Sequence, residues 1–259
     1  MRAARLRAHP HPRPGSRGDS RLVRDPLNAR EWPRAPHHPG LPGPDLHVWR
    51  VDLAARDEGD GVALLSSDER ARAARLVSAG ARTRFRRARF ALRRLLAEYV
   101  RLSPGELALE YGEHGKPRLA RETERDRTPL FFNLSHSGDL ALFAVGEAGE
   151  IGVDIERIRP LRHLEGLARD HLSAGERELR PDWSTVEARP EFFRVWARKE
   201  AMLKAAGLGL SRPLSRVDTI RGVLEGRPYW LLDLLPGDGF AGAVACTRAP
   251  AAVRRWSWP

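Results

Sequence analysis

In Gly152-Val153-Asp154-Ile155-Glu156, two carboxylates interrupt an apolar alternation. Ile151, Val153 and Ile155 mark one face of a short strand, which leaves Asp154 and Glu156 together on the other. Carboxylates held side by side repel, and such a pair calls for a compensating cation. A third carboxylate, Glu200, precedes Lys204 by four residues in the helix-like run 191–210, so the two share a helix face. One reading is an exposed helix ion pair worth roughly 0.3–0.5 kcal/mol. The other is a carboxylate and an ammonium lining a cleft opposite Asp154 and Glu156. A further group follows a hydrophobic strand, in Phe132-Asn133-Leu134-Ser135-His136-Ser137-Gly138. Its small polar side chains suit a phosphate, with the Ser135 and Ser137 hydroxyls and the His136 ring as ligands. A Ser-His nucleophile pair fits less well, because neighbours on an extended chain point apart and no G-x-S-x-G elbow is present.

Lysine usage points to the same stretches. Of 45 basic residues only Lys116, Lys199 and Lys204 are lysine. A compact ammonium in a chain otherwise filled with arginine suggests a need for that shape, although chance gives the same count.

The elements that must position these residues can be read from local signals. Ser66 or Ser67 and Ser173 are N-cap candidates, and Ser173 with Glu176 makes a capping-box pattern. Residues 81–101 predict a long helix stopped by Pro104-Gly105, and Leu107, Leu109 and Tyr111 then alternate like a strand. A second long helix is predicted to end at Gly207 or Gly209. The chain also echoes itself every 100–110 residues. The paired stretches are VDL (51–53) with VDI (153–155), LSSDER (65–70) with LSAGER (172–177), and Phe85-Arg86 with Phe193-Arg194. GKPRL (115–119) and LALFAV (140–145) answer in turn to GRPYW (226–230) and FAGAVA (240–245). In this alignment Ala54 stands where Glu156 would be. The expected fold is α+β, with two similar halves related by a pseudo-two-fold axis and a site in the cleft between them. The predicted bounds are a disordered Arg/Pro-rich tail at 1–44, halves at 45–150 and 151–249, and a C-terminal tail at 250–259. A single irregular α+β domain is the alternative.

Composition excludes several classes. The mixture of 41% hydrophobic and 31% charged residues suits a soluble globular protein. No apolar run approaches the roughly 20 residues of a membrane helix. The single cysteine, Cys246, rules out an intramolecular disulfide and fits a cytoplasmic location. The net charge of +11 is concentrated in residues 1–44, where nine Arg stand against Asp19, Asp25 and Glu31. That weakens a nucleic-acid reading, and no nucleic-acid or membrane partner is expected.

GKP (115–117), FNLSHSG (132–138), GVDIE (152–156) and WARKEAMLK (196–204), in this order, resemble the 4'-phosphopantetheinyl transferases. The resemblance covers about 45–249 and is to the larger, pseudo-dimeric type that activates peptide and polyketide synthases. It implies transfer of the phosphopantetheine arm of coenzyme A to a serine of an acyl or peptidyl carrier protein, with release of 3',5'-ADP. It further implies Mg2+ held by Asp154, Glu156 and Glu200, and Lys204 on the pyrophosphate. Ser135 and His136 would bind phosphates, Lys116 and Pro117 would lie near the adenine, and Arg70 and Arg84 near the 3'-phosphate. Glu200 is left as base, ligand or both, and the protein is expected to be a monomer. A metal-dependent phosphohydrolase and a non-catalytic nucleotide-binding pseudo-dimer are the alternatives.

Overall fold

The computed structural model describes residues 32–35, 40–54, 62–124, 128–209 and 212–258. Strand β1 (Leu46–Asp52) leads into α1 (Ser67–Ala74) and the long α2 (Ala79–Val100). Next come β2 (Leu109–Tyr111), β3 (Pro117–Leu119), the single turn α3 (Arg121–Glu124), β4 (Phe131–Ser137) and β5 (Leu140–Gly146). The pattern of strand, short helix, long helix and strands then recurs. It runs through β6 (Ile151–Arg157), α4 (Leu164–His171), α5 (Ala174–Arg177) and the long α6 (Arg189–Ala206). It closes with β7 (Val223–Leu224), β8 (Arg227–Pro228), β9 (Trp230–Leu234) and β10 (Phe240–Cys246), and β11 (Val253–Ser257) comes last. This is a mixed α+β fold. One sheet has the order β11-β1-β5-β4 and the other β6-β10-β9. All their pairings are antiparallel except that of β11 with β1.

The helix signals are realised with one addition. Ser66 and Ser173 both form full capping boxes, with Glu69 and Glu176 three residues on. Both glutamates are also buried ion-pair partners. Arg93 Nε donates to Glu69 at 2.7 Å, and Lys199 Nζ lies 2.6 Å from Glu176. Each cation then donates to the loop after its own helix, Arg93 to the Leu107 carbonyl (2.9 Å) and Lys199 to those of Leu214 (2.8 Å) and Val217 (2.6 Å). Lys199 is fully buried at 0% exposure, so this lysine serves the fold. Breaking one partner from a buried pair typically costs about 3–5 kcal/mol.

Helix α2 packs on one sheet through Leu92, Leu95, Leu96 and Tyr99, against Trp49, Val51 and Phe143. A second core lies between the sheets, where Val48 and Leu142 meet Val153, Ile155 and Val244. Helix α6 covers the far face of the other sheet with Ala201, Met202 and Ala205 against Ala243 and Ala245. These faces correct one sequence echo. Val51 lies under α2 whereas Val153 lies between the sheets, so VDL and VDI are out of register by an odd number of residues and face opposite ways. In the ladders Asp154 sits opposite Ala243 while Trp49 sits opposite Phe143, which makes Trp49 and Val51 the counterparts of Asp154 and Glu156.

Both predicted tails carry structure. The segment expected as a C-terminal tail contributes β11, whose Val253 pairs with Leu46. Within the segment expected as a disordered tail, Trp32 is only 8% exposed and joins the core between the sheets. Its indole Nε1 donates to the Leu235 carbonyl at 2.8 Å, and Arg34 bridges to Ser257. Residues 1–31 and 36–39 lie outside the described residues. A deletion through residue 40 would therefore remove a core side chain. We expect Trp32→Ala to lower unfolding free energy by about 3 kcal/mol, and the deletion by at least as much. Urea unfolding checks this, and an unchanged midpoint for both proteins refutes it.

Candidate active site

Strands β4 and β6 lie side by side in different sheets and are joined by side chains. Residues 133, 135 and 137 point to one face of β4, as a strand's period of two requires. Asn133 Oδ1 accepts the Val153 N–H at 2.9 Å. Ser135 Oγ donates to Asp154 Oδ1 at 2.8 Å. Ser137 Oγ donates to Glu156 Oε2 at 3.2 Å and accepts the Arg157 N–H at 3.0 Å. The two serine hydroxyls expected to face a phosphate therefore each hold one of the two carboxylates.

Helix α6 delivers the remaining groups, and glycine sets how closely it approaches. A Cβ on Gly152 would lie 2.0 Å from the Ala201 carbonyl oxygen and 2.3 Å from the Ala205 nitrogen. The helix backbone thus rests on the strand at the residue two before Asp154. Lys204 Nζ reaches Asp154 Oδ1 at 2.6 Å, Ser135 Oγ at 2.9 Å and the Val153 carbonyl at 3.4 Å, using all three of its protons. Gly207, at φ 71, ends the helix in the left-handed conformation immediately beyond.

Charge is unevenly compensated here. Asp154 is 3% exposed, and its Oδ2 is buried with no hydrogen-bond partner. Burial, then Asp154, raises the Glu156 carboxyl, against the Ser137 bond and Lys204. Burial and Asp154 push Glu200 up to about 7, with Lys204 opposing. Among the described residues no three His, Cys, Asp or Glu side chains close around a point that could hold an ion alone. The donor set fits a divalent cation in another way. An orphaned buried carboxylate oxygen and two carboxyls whose ionised forms are disfavoured by burial and by neighbouring carboxylates would supply part of a shell. Oxygen ligands from a phosphorylated molecule and water would complete it.

Glu200, Lys204 and Ser135 line a cavity of about 500 Å3, and Asp154 lies behind Ser135 and Lys204. Lys116 and Pro117 form another wall, where Lys116 Nζ is engaged by Glu150 at 2.5 Å and by the Ala205 carbonyl at 3.4 Å. His136 also lines the cavity; desolvation, then Lys204, Arg84 and Arg89, hold its imidazole below the usual range. The two arginines named from the sequence are not in the wall. Arg70 turns its guanidinium to the Leu65 carbonyl, and Arg84 pairs with Asp139 at 3.3 Å. Arg72 and Arg89 line the cavity instead, both stacked on Phe85, at 5.8 and 5.4 Å from the ring centroid. Arg89 is buried, and its Nη1 has no hydrogen-bond partner. A signal for it was present: Arg89 interrupts the apolar stripe of Phe85, Leu92 and Leu96 on α2.

Comparison with known proteins agrees with this arrangement of motifs. Residues 150–230 match a family described as the 4'-phosphopantetheinyl transferase superfamily, and residues 59–148 match 4'-phosphopantetheinyl transferase, N-terminal. The 4'-phosphopantetheinyl transferase HetI of Nostoc sp. is 37% identical over 221 residues, covering 83% of this chain and 92% of that relative. The 4'-phosphopantetheinyl transferase AcpT of Escherichia coli O157:H7 is 43% identical over 97 residues, 38% of this chain and 47% of its own. The human L-aminoadipate-semialdehyde dehydrogenase-phosphopantetheinyl transferase is 30% identical over 139 residues, 50% of this chain and 44% of its own. With a relative matched over almost its whole length and both family regions in sequence, the chain belongs to the 4'-phosphopantetheinyl transferase superfamily, in its larger type.

Proposed function

We propose that this protein transfers the 4'-phosphopantetheine arm of coenzyme A to a serine of an acyl or peptidyl carrier protein, converting apo to holo carrier. The observation that carries the reading is the orphaned Asp154 Oδ2 beside Glu156, Glu200 and Lys204, behind a cavity whose wall holds Arg89 with its Nη1 lacking a hydrogen-bond partner. Arg72, Arg89 and His136 supply cationic and hydrogen-bonding groups for the 3'-phosphate, and Lys116 and Pro117 flank the adenine. Lys204 moves from Asp154 toward the pyrophosphate and steadies charge developing on the leaving 3',5'-ADP. Glu200, poised at about 7, accepts the proton of the attacking serine. The new bond joins serine Oγ to the pantetheine-side phosphorus, and the bond from that phosphorus to the bridging oxygen breaks. Mg2+ held by Asp154, Glu156 and Glu200 would neutralise pyrophosphate charge. The two strand orders and the matched Glu69–Arg93 and Glu176–Lys199 pairs support halves at about 45–150 and 151–249, related by a pseudo-two-fold axis with this site in the cleft between them. The internal pairing suits a monomer, and a single free cysteine, Cys246, suits the cytoplasm.

Incubation with coenzyme A, Mg2+ and an apo carrier protein tests this by mass spectrometry. A carrier heavier by one phosphopantetheine arm is the expected result. Free phosphopantetheine favours a phosphohydrolase, and intact coenzyme A a binding protein.

The metal assignment has a pH signature. With its carboxyl raised to about 7, native Glu200 keeps a proton that the unfolded chain releases from about 4.5 upward. Its contribution to stability is therefore present at low pH and lost as pH rises through about 7. Mg2+ should restore it, so added Mg2+ is expected to raise the thermal midpoint more at about pH 8 than at about pH 5.5. An equal shift at both values, or none, refutes the assignment.

A further inference from the structure

We propose that Ser137 is a positioning residue for Glu156, setting the carboxylate for the divalent cation; this rests on the metal reading above. Its hydroxyl is constrained from both sides. The Arg157 N–H, at 3.0 Å, occupies one of its lone pairs, and its own proton is directed to Glu156 Oε2 at 3.2 Å. A serine hydroxyl has a single proton, so this geometry commits it to the carboxylate. The backbone fixes the donor as well. Ser137 is the last residue of β4, and Gly138 turns the chain at φ 58, the first position of a two-residue hairpin that brings Leu140 back opposite Ser137. Glu156 has no other hydrogen bond from a side chain among the described contacts, whereas Asp154 has Ser135 and Lys204. Without Ser137 the longer, more rotatable glutamate is free to leave the cation. The Asn-x-Ser-x-Ser spacing therefore has one tooth for the strand backbone at Asn133 and one for each carboxylate. The outer groups around a metal ligand commonly govern affinity by about 10–100-fold.

The test measures Mn2+ affinity by electron paramagnetic resonance, with coenzyme A present and no carrier, for wild type, Ser137→Ala and Ser137→Thr. Thermal unfolding without cation runs in parallel. Ser137→Ala is expected to bind Mn2+ about tenfold more weakly, and Ser137→Thr, which keeps the hydroxyl, within about twofold of wild type. If the alanine variant does not fold, Ser137→Val against Ser137→Thr makes the same comparison with matched shape. Wild-type affinity in the variant lacking the hydroxyl overturns the positioning role alone, as does a threonine variant as weak as alanine. A wild-type protein that binds no Mn2+ overturns the metal reading and this proposal together.

Discussion

Replacing Asp154 with alanine is expected to lower carrier-protein modification by about 10³-fold or more while the protein stays folded. Asp154 Oδ1 is the common acceptor for Lys204 and Ser135, and its buried Oδ2, without a hydrogen-bond partner, is the oxygen proposed to hold the cation. Its loss removes the proposed cation ligand and the fixed point that orients the ammonium. Folding is affected much less, because two effects oppose one another. Lys204 loses its carboxylate but keeps Ser135 Oγ and the Val153 carbonyl, and its side chain is 27% exposed. Glu156 and Glu200 are both raised in part by Asp154 and are relieved when it goes. The net change in stability should stay within about 2 kcal/mol. Mass spectrometry of the carrier and thermal unfolding without Mg2+ measure the two quantities separately. An active Asp154→Ala protein would end the metal assignment, and an unfolded one would mean that the carboxylate is structural.

Gly152→Ala should be the most damaging glycine-to-alanine change among the described residues. Gly152 is outside the left-handed region, so backbone freedom is not what it supplies. It supplies absence of volume, since the added carbon would lie 2.0 Å from one backbone atom of α6 and 2.3 Å from another. A backbone cannot rotate aside as a side chain can, so the helix must shift as a body. The expected cost exceeds about 3 kcal/mol. Any protein that still folds would carry Glu200 and Lys204 displaced and modify carrier poorly. Gly207→Ala is the control. Its φ of 71 strains an alanine, but no atom lies within 4 Å of the new carbon. That change should cost only about 1 kcal/mol. Equal unfolding midpoints for the two variants would refute the steric account.

Much of this was readable in the residues, for identifiable reasons. Helix starts at Ser66 and Ser173 were legible because a capping box is local chemistry. Asp154 and Glu156 stood out because charge interrupts a two-residue alternation. What the sequence hid depended on orientation. The VDL and VDI match paired identical letters from opposite faces, and only the ladders show that apolar Trp49 and Val51 hold the equivalent places. With 140–145 set against 240–245, it is Val51 and not Ala54 that answers to Glu156, and both carboxylates occupy positions that the first sheet fills with core. The carboxylates that Ser135 and Ser137 hold lie 19 residues away in the chain, on a strand whose place beside β4 no local pattern shows. Arg89 was lost among 42 arginines, most of them ordinary surface. Trp32 was hidden by its proline-rich neighbours.

The parallel pairing of β11 with β1 bears on how the chain is assembled as it is synthesised. Arg50 and Ser257, which meet across that edge, are 207 residues apart. A ribosome must have translated past Ser257 before the first sheet can receive its border strand. Until then the outer edge of β1 presents unpaired N–H and C=O groups, a template for other chains. The nascent protein therefore depends on residues 253–257 for protection of that edge from aggregation, and a ribosome stalled before Val253 would leave it exposed.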